Sequence, residues 1–144
     1  GDERAVVLPV LDLDRLRRVE LLPFVSAVKA GVASIMSAHV LFEAIDTDRP
    51  ATLSPRVLQD VLRGELGFEG VIVSDDLEMD AIVGRMSIES AAVDAINAGV
   101  DLLLCCHRED RQRLVLNALG RGLDPVMAER AVTRMSEFQA TWAR

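Results

Sequence analysis

The chain has 144 residues, half of them hydrophobic and 27% charged, and its formal net charge is −7. This length fits one domain and this composition supports a buried core, so a disordered chain is excluded. The acidic balance argues against nucleic acid, because a negative surface repels phosphate backbones. The longest apolar run, residues 99–106, is too short to cross a bilayer, so we expect neither a nucleic acid nor a membrane as partner.

Short apolar runs alternate with longer segments of helical spacing. The sequence predicts, in chain order, strand 5–10, helix 14–30, strand 33–40, helix 54–66, strand 70–74, helix 87–98, strand 100–106 and helices 109–119 and 125–142. Strands that are apolar throughout and separated by helices are typical of a parallel sheet covered on both faces. We therefore predict an α/β fold in which parallel strands alternate with helices.

Cap and turn residues agree with these boundaries. Asp12 or Asp14 is suited to cap the first helix, and Ser54 followed by Pro55 is a typical helix start. Single glycines at positions 31, 67, 70 and 99 fall where a helix ends and the next strand begins, as expected of glycines after a helix C-cap.

The two cysteines, Cys105 and Cys106, are adjacent. Neighbouring residues of a strand point to opposite faces, so these two thiols do not ordinarily bridge each other. We interpret them as buried, reduced thiols. Because no signal peptide opens the sequence either, they predict a cytoplasmic location.

The connections from strand to helix are long, at residues 39–53 and 75–86, whereas those from helix to strand are short. In a parallel α/β fold the long connections lie at the carboxyl ends of the strands, where binding and catalytic groups collect. The candidate site residues are therefore those that follow each strand: His39, Asp75, Asp76, Glu78, Cys105, Cys106 and His107.

Asp75 and Asp76 directly follow an apolar strand. A carboxylate there can act as a nucleophile, a general base or a metal ligand. The alternative is that Asp76 caps the next turn and Asp75 is only solvated. His39 could bind a ligand hydroxyl or orient a carboxylate, or it could simply be hydrogen-bonded to backbone groups at its strand end. Adjacent Cys105, Cys106 and His107 do not have the spacing of a zinc site, so we predict no metal ligands.

Four ordered segments carry a resemblance to a known family: ASIMSAHV at 33–40, DRPATLS at 48–54, LRGELGFEGVIVSDDLEM at 62–79 and AGVDLL at 98–103. They resemble glycoside hydrolase family 3, and within it the β-N-acetylglucosaminidases that trim cell-wall muropeptides. The resemblance implies that residues 1–144 are one partial domain, the C-terminal part of a TIM-type (β/α)8 barrel.

The resemblance also implies a chemistry. Family members hydrolyse glycosides with retention, and the nucleophile is the aspartate of a Ser-Asp motif, which is Asp75 here. It implies an amino-sugar glycoside as substrate and no metal or organic cofactor. From its position at the end of a strand, we predict that His39 binds substrate. A β-glucosidase or β-xylosidase of the same family, and a non-catalytic half-barrel that assembles or binds sugar, are the alternatives.

Two family segments have no full counterpart in the chain. Of the sugar-gripping Lys-His-Phe-Pro-Gly-His-Gly-Asp segment, only Gly1-Asp2 is present, and residues 3–7 lack the histidine that serves the family as acid/base. We therefore expect the chain alone to be weakly active or inactive. The expected partner is the missing N-terminal part of the barrel or a second copy of the chain.

Overall fold

A computed structural model describes residues 12–142. The predicted strand 5–10, the Gly1-Asp2 pair and residues 3–7 lie outside the described residues. Within them, three parallel strands, β1 (Ser34–Met36), β2 (Val71–Asp76) and β3 (Leu102–Leu104), form one sheet in the order β1-β2-β3. Each strand pairs with the next one along the chain, as the predicted strand–helix–strand connections require.

Helices connect and flank the strands: α1 (Leu13–Arg15), a π-helical segment (Leu16–Glu20), α2 (Leu22–Lys29), a 3-10 turn (Ala51–Leu53), a second π-helical segment (Arg56–Glu65), α3 (Asp80–Val83), α4 (Ile88–Ala98), α5 (Glu109–Gly122) and α6 (Pro125–Trp142). All five predicted helices are confirmed, and the first is divided into three helical segments. The short helix α3 and the 3-10 turn were not predicted, because both lie inside long connections.

Strand β1 is shorter than predicted because its last residues pair with the loop that follows. The carbonyl oxygens of Ala38 and Val40 accept hydrogen bonds from the backbone N–H groups of Thr52 and Ala51, at 3.3 and 2.8 Å. This pairing diverts residues 38–40 from the sheet. It also places Thr52 beside the end of β1.

The predicted caps are confirmed at both helix starts. Asp12 Oδ1 accepts a hydrogen bond from the N–H of Asp14 at 3.2 Å, and Ser54 Oγ accepts one from the N–H of Val57 at 3.2 Å. Three of the four glycines have positive φ, at positions 31, 67 and 99. Gly70 has a different reason to be glycine: a Cβ there would lie 2.5 Å from the carbonyl oxygen of Ala33, across the β1–β2 pairing.

The core lies between the sheet and its helices. Ile72, at the centre of β2, is fully buried in one cluster with Ala91 and Ala95 of α4. Successive side chains of a strand point to opposite faces. Val71 and Val73 therefore lie on the face of β2 opposite Ile72, and the register between β2 and β3 shifts further along, between Val73 and Asp76.

A buried carboxylate stabilises the amino-terminal end of the sheet, which is the end opposite the long connections. Asp101, just before β3, accepts hydrogen bonds from the N–H of Ile72 at 2.8 Å, from Arg63 at 2.7 Å and from Arg134 at 3.1 Å. Arg63 also donates to the carbonyl oxygens of Phe68 and Gly70. Burial lowers the pKa of Arg63, and Asp101 opposes that effect.

None of the helices between residues 12 and 142 combines the length and the hydrophobicity that a membrane span requires.

Candidate active site

Asp75 is the fifth residue of β2, at the carboxyl end of the strand, and its side chain is half-buried. Its Oδ1 accepts a hydrogen bond from the N–H of Asp76 at 2.8 Å, which holds the carboxylate at the strand end. A carboxylate fixed in this way, at the carboxyl end of a parallel strand, is able to act as a nucleophile or as a base.

Asp76 has a different environment from its neighbour. Its Oδ1 accepts a hydrogen bond from the N–H of Glu78 at 3.0 Å, and its Oδ2 lies 2.9 Å from Nδ1 of His107. The first contact is the turn-capping role that the sequence left open for Asp76. The two consecutive carboxylates therefore have different partners.

His39 is buried, with 4% of its surface exposed, and both of its ring nitrogens are occupied. Nε2 lies 2.9 Å from the carbonyl oxygen of Asp76, and Nδ1 lies 3.0 Å from the hydroxyl of Thr52. Because a carbonyl can only accept, Nε2 carries a proton. These contacts match the alternative of a histidine held at its strand end. Its substrate-binding role stays a prediction, and its position favours holding the backbone that follows Asp75.

Thr52 extends this contact to the strand itself. Its hydroxyl oxygen lies 2.9 Å from that of Ser37, and Thr52 is fully buried. Ser37, Thr52 and His39 thus form a continuous hydrogen-bonded chain from the end of β1 to the backbone of Asp76. Sequence analysis gave Thr52 no role, although it lies within the family-like segment 48–54.

Glu78 is a buried carboxylate, with 4% of its side chain exposed. Its Oε2 accepts hydrogen bonds from the backbone N–H groups of His107 and Arg108, and Arg111 lies 3.6 Å from Oε1. Burial alone would raise the pKa of Glu78, but these two N–H groups outweigh it, so the pKa is lowered. The carboxylate therefore holds the segment after β3 against the segment after β2.

The cysteines lie beside these acids. Burial, with added repulsion from Glu78 and Asp76, raises the pKa of the Cys105 thiol to about 11. The pKa of Cys106 is raised by burial and by Asp76. Both cysteines are free, as predicted, but neither is fully buried: Cys105 is half-buried and Cys106 is exposed, because β3 ends at Leu104 and the pair lies in the following loop.

The segment after β3 also brings His107 to the two acids that follow Asp75. Asp76, Glu78 and His107 each offer one atom that could bind a metal ion, and these atoms lie within 4.8 Å of one another. This juxtaposition was not predicted, because His107 is 29 residues from Glu78 in the sequence. Only the parallel pairing of β2 with β3 makes them neighbours.

Comparisons with known proteins agree with this geometry. Residues 5–136 match the sequence model of the Glycosyl hydrolase family 3 N terminal domain. A beta-hexosaminidase of Stenotrophomonas maltophilia strain K279a is 40% identical over 112 residues, which are 78% of this chain and 33% of that protein. A beta-hexosaminidase of Chromobacterium violaceum is 38% identical over 133 residues, 92% of this chain and 37% of that protein.

A solved structure is similar over nearly the whole chain. It is a glycoside hydrolase family 3 beta-N-acetylglucosaminidase from Paenibacillus sp. str. FPU-7, with 39% identity and a TM-score of 0.92 over 99% of this chain and 28% of that one. This chain spans about a third of the length of the curated relatives that it matches. Its parallel strands and helices are those of a TIM-type barrel, and the chain belongs to glycosyl hydrolase family 3.

Proposed function

We propose that this chain is the C-terminal part of the catalytic barrel of a retaining β-N-acetylhexosaminidase and that Asp75 is its nucleophile. The observation that carries the proposal is the position of Asp75 at the carboxyl end of β2, the edge of a parallel sheet at which catalytic groups collect. The beta-hexosaminidase names of two relatives support the choice of an amino sugar.

The proposed reaction has two displacements. An oxygen of Asp75 attacks the anomeric carbon of a β-linked amino sugar, and the bond from that carbon to the leaving-group oxygen breaks. Water then attacks the same carbon, which releases the sugar with its original configuration and regenerates the carboxylate. The leaving oxygen takes up a proton in the first step, and we propose that the donor lies outside residues 12–142.

The hydrogen bonds around Asp75 suit this role. The N–H of Asp76 directs Oδ1 of Asp75, and the contact of His39 with the Asp76 carbonyl holds that backbone in place. A nucleophile held in advance loses little freedom when it reacts, which lowers the barrier. We propose that His39 contributes to catalysis in this way.

The edge of the sheet supports a role for further barrel strands. In the described part of the chain β1 pairs on one side, with β2, and Met36 on it is 56% exposed. An apolar cavity of about 130 Å³ lies beside it, lined by residues that include Leu16, Phe24 and Phe42. We propose that the N-terminal strands of the barrel, or those of a second copy, cover this edge and complete the sugar site.

The proposed substrates are β-linked N-acetylglucosaminides of cell-wall type, met in the cytoplasm. The test is hydrolysis of an aryl β-N-acetylglucosaminide by the complete barrel that contains this chain, by its Asp75→Asn variant and by Asp80→Asn, which removes a nearby exposed carboxylate. We expect Asp75→Asn to abolish turnover and Asp80→Asn to retain it. Full activity in Asp75→Asn would exclude Asp75 as nucleophile.

A further inference from the structure

The hydrogen bonds that link β1 to the Asp76 carbonyl have a defined direction. Nε2 of His39 donates to that carbonyl at 2.9 Å, so the one ring proton of a neutral imidazole is assigned to Nε2. Nδ1 is then an acceptor, and the hydroxyl oxygen of Thr52 lies 3.0 Å from it. Thr52 therefore donates its proton to His39, and its oxygen accepts one from the hydroxyl of Ser37 at 2.9 Å.

The surroundings of the ring favour this neutral imidazole. His39 is 4% exposed, and its two nitrogens contact a carbonyl and a hydroxyl, neither of which carries a charge. A buried cation that has no carboxylate beside it is unfavourable. In a charged ring Nδ1 would also carry a proton and would donate to Thr52, so the direction of this one bond distinguishes the two states.

The loop that carries Thr52 is held in place independently of His39. Thr52 is fully buried in the 3-10 turn Ala51–Leu53, and its N–H donates to the carbonyl oxygen of Ala38 at 3.3 Å. In the same loop the buried carboxylate of Asp46 accepts hydrogen bonds from the hydroxyl of Ser54 at 2.6 Å and from two backbone N–H groups. The Thr52 hydroxyl therefore contacts the imidazole from a loop that is hydrogen-bonded on both sides of it.

We propose that Thr52 is a positioning residue for the nucleophile, an inference that rests on the assignment of Asp75 as nucleophile. Its hydroxyl holds Nδ1 of His39, so that Nε2–H stays directed at the carbonyl of Asp76, whose own N–H holds Oδ1 of Asp75 at 2.8 Å. A ring held at one nitrogen only keeps more rotational freedom. Because misplacement of a reacting group slows its reaction, loss of the Thr52 hydroxyl should slow the attack on the sugar rather than weaken sugar binding.

Two substitutions separate the hydroxyl of Thr52 from the shape of its side chain. Thr52→Val keeps the branched shape and removes the hydroxyl, whereas Thr52→Ser keeps the hydroxyl and removes a methyl group. A side chain that only filled space would tolerate the first change better than the second. Thr133→Val is the matched control, because Thr133 is exposed on α6.

The experiment measures formation of the glycosyl adduct at Asp75 in the complete barrel that contains this chain, with an N-acetylglucosaminyl fluoride that carries a second fluorine at C5. The rate constant of this step, unlike its amplitude, does not depend on how much of the sample is active. We expect it to fall at least about tenfold in Thr52→Val, to stay within about threefold of the parent in Thr52→Ser, and to be unchanged in Thr133→Val.

An unchanged rate constant in Thr52→Val, or an equal loss in Thr52→Ser, would overturn the role of Thr52 while the adduct in the parent still supported Asp75. A parent protein that forms no adduct at Asp75 would instead overturn the nucleophile, and the role of Thr52 with it.

A second measurement needs no substitution at Thr52. The ¹⁵N resonances of the His39 ring, identified by their loss in His39→Gln, report which nitrogen carries the proton. We expect Nε2 to be protonated and Nδ1 unprotonated in the parent at neutral pH, and the Nδ1 resonance to move downfield in Thr52→Val as it loses its donor. A ring protonated at Nδ1 would show that Thr52 accepts rather than donates, and would overturn the proposal even if Thr52→Val fails to fold.

Discussion

Nε2 of His39 donates a hydrogen bond of 2.9 Å to the carbonyl oxygen of Asp76, and so a residue from the end of β1 holds the backbone next to Asp75. On the other side of the ring, the buried hydroxyl of Thr52 contacts Nδ1. The proposed nucleophile is therefore positioned by the loop between β1 and the second π-helical segment as well as by its own strand.

His39→Ala tests this contact. It removes one hydrogen bond from the Asp76 carbonyl, which keeps the N–H of Met79, and one from the Thr52 hydroxyl, which keeps Ser37. Each such hydrogen bond contributes about 0.5–1.5 kcal/mol. We expect a loss of that order in the free energy of unfolding, measured by urea titration. His39→Gln, whose amide can both donate and accept, should recover part of it. An unchanged midpoint in His39→Ala would show that the contact does not stabilise the fold.

Asp101→Asn tests the ionic contacts at the opposite end of the sheet. The carboxylate is buried and holds Arg63, Arg134 and the N–H of Ile72. Removal of one partner from a buried ion pair costs about 3–5 kcal/mol, because the other charge stays buried. We expect a loss of this size in the free energy of unfolding, again from urea titration.

The matched control for Asp101→Asn is Asp110→Asn, which breaks the exposed pair with Arg108. An exposed pair contributes about 1 kcal/mol or less, so this variant should be nearly as stable as the parent. Equal losses in the two variants would contradict the importance of burial at Asp101.

The raised pKa of the Cys106 thiol predicts that the rate of its alkylation depends on pH. A raised pKa keeps Cys106 protonated at neutral pH, so alkylation by iodoacetamide should be slower than that of a free cysteine. The rate should increase as the pH rises above the ordinary thiol range. Mass spectrometry of the Cys105→Ser variant isolates Cys106. Alkylation as fast as that of free cysteine would show that the neighbouring carboxylates do not suppress the thiolate.

The raised pKa of the Cys105 thiol predicts that the free energy of unfolding depends on pH. Its pKa is raised to about 11 in the fold, so the folded chain keeps a proton that the unfolded chain loses near its ordinary pKa of about 8.5. The stabilisation that Cys105 provides is therefore complete below that range and is lost as the pH rises towards 11. Urea titrations of the chain and of Cys105→Ser, at pH 7.5 and 10, measure the difference. A parent chain no more sensitive to alkali than Cys105→Ser would contradict it.

The leaving group should decide how fast the chain turns over a substrate. We place the proton donor outside residues 12–142, and general acid catalysis is worth roughly 10²–10⁴-fold. An aryl β-N-acetylglucosaminide with a dinitrophenolate leaving group needs little protonation and should react far faster than an alkyl one. Comparable rates for both substrates would indicate a proton donor within the chain.

The strands and long helices were predictable because their signals are local. An apolar run predicts β2, and Ser54 followed by Pro55 predicts the start of the helix after β1. The ordered segments around Ser74 and Asp75 indicate the family from the sequence alone. The length of β1 was not predictable, because the pairing of Ala38 with Thr52 depends on how a distant loop folds back.

The contacts between the site residues could not be predicted either, because they join residues that are far apart in the sequence. His39 is 37 residues from Asp76, and His107 is 29 residues from Glu78. These pairs meet only because β1, β2 and β3 lie side by side in parallel. Sequence alone identified the right edge of the sheet, but it could not assign partners among the residues that follow each strand.

The central claim is that Asp75 forms a covalent bond with the sugar, and intact mass spectrometry tests it most directly. The probe is an N-acetylglucosaminyl fluoride with a second fluorine at C5, whose fluoride leaves readily while the resulting ester hydrolyses slowly. In the complete barrel that contains this chain we predict one glycosyl adduct, mapped to Asp75 by peptide fragmentation, absent from Asp75→Asn and present in Asp80→Asn. No adduct on the complete barrel, or an adduct that persists in Asp75→Asn, would contradict the account.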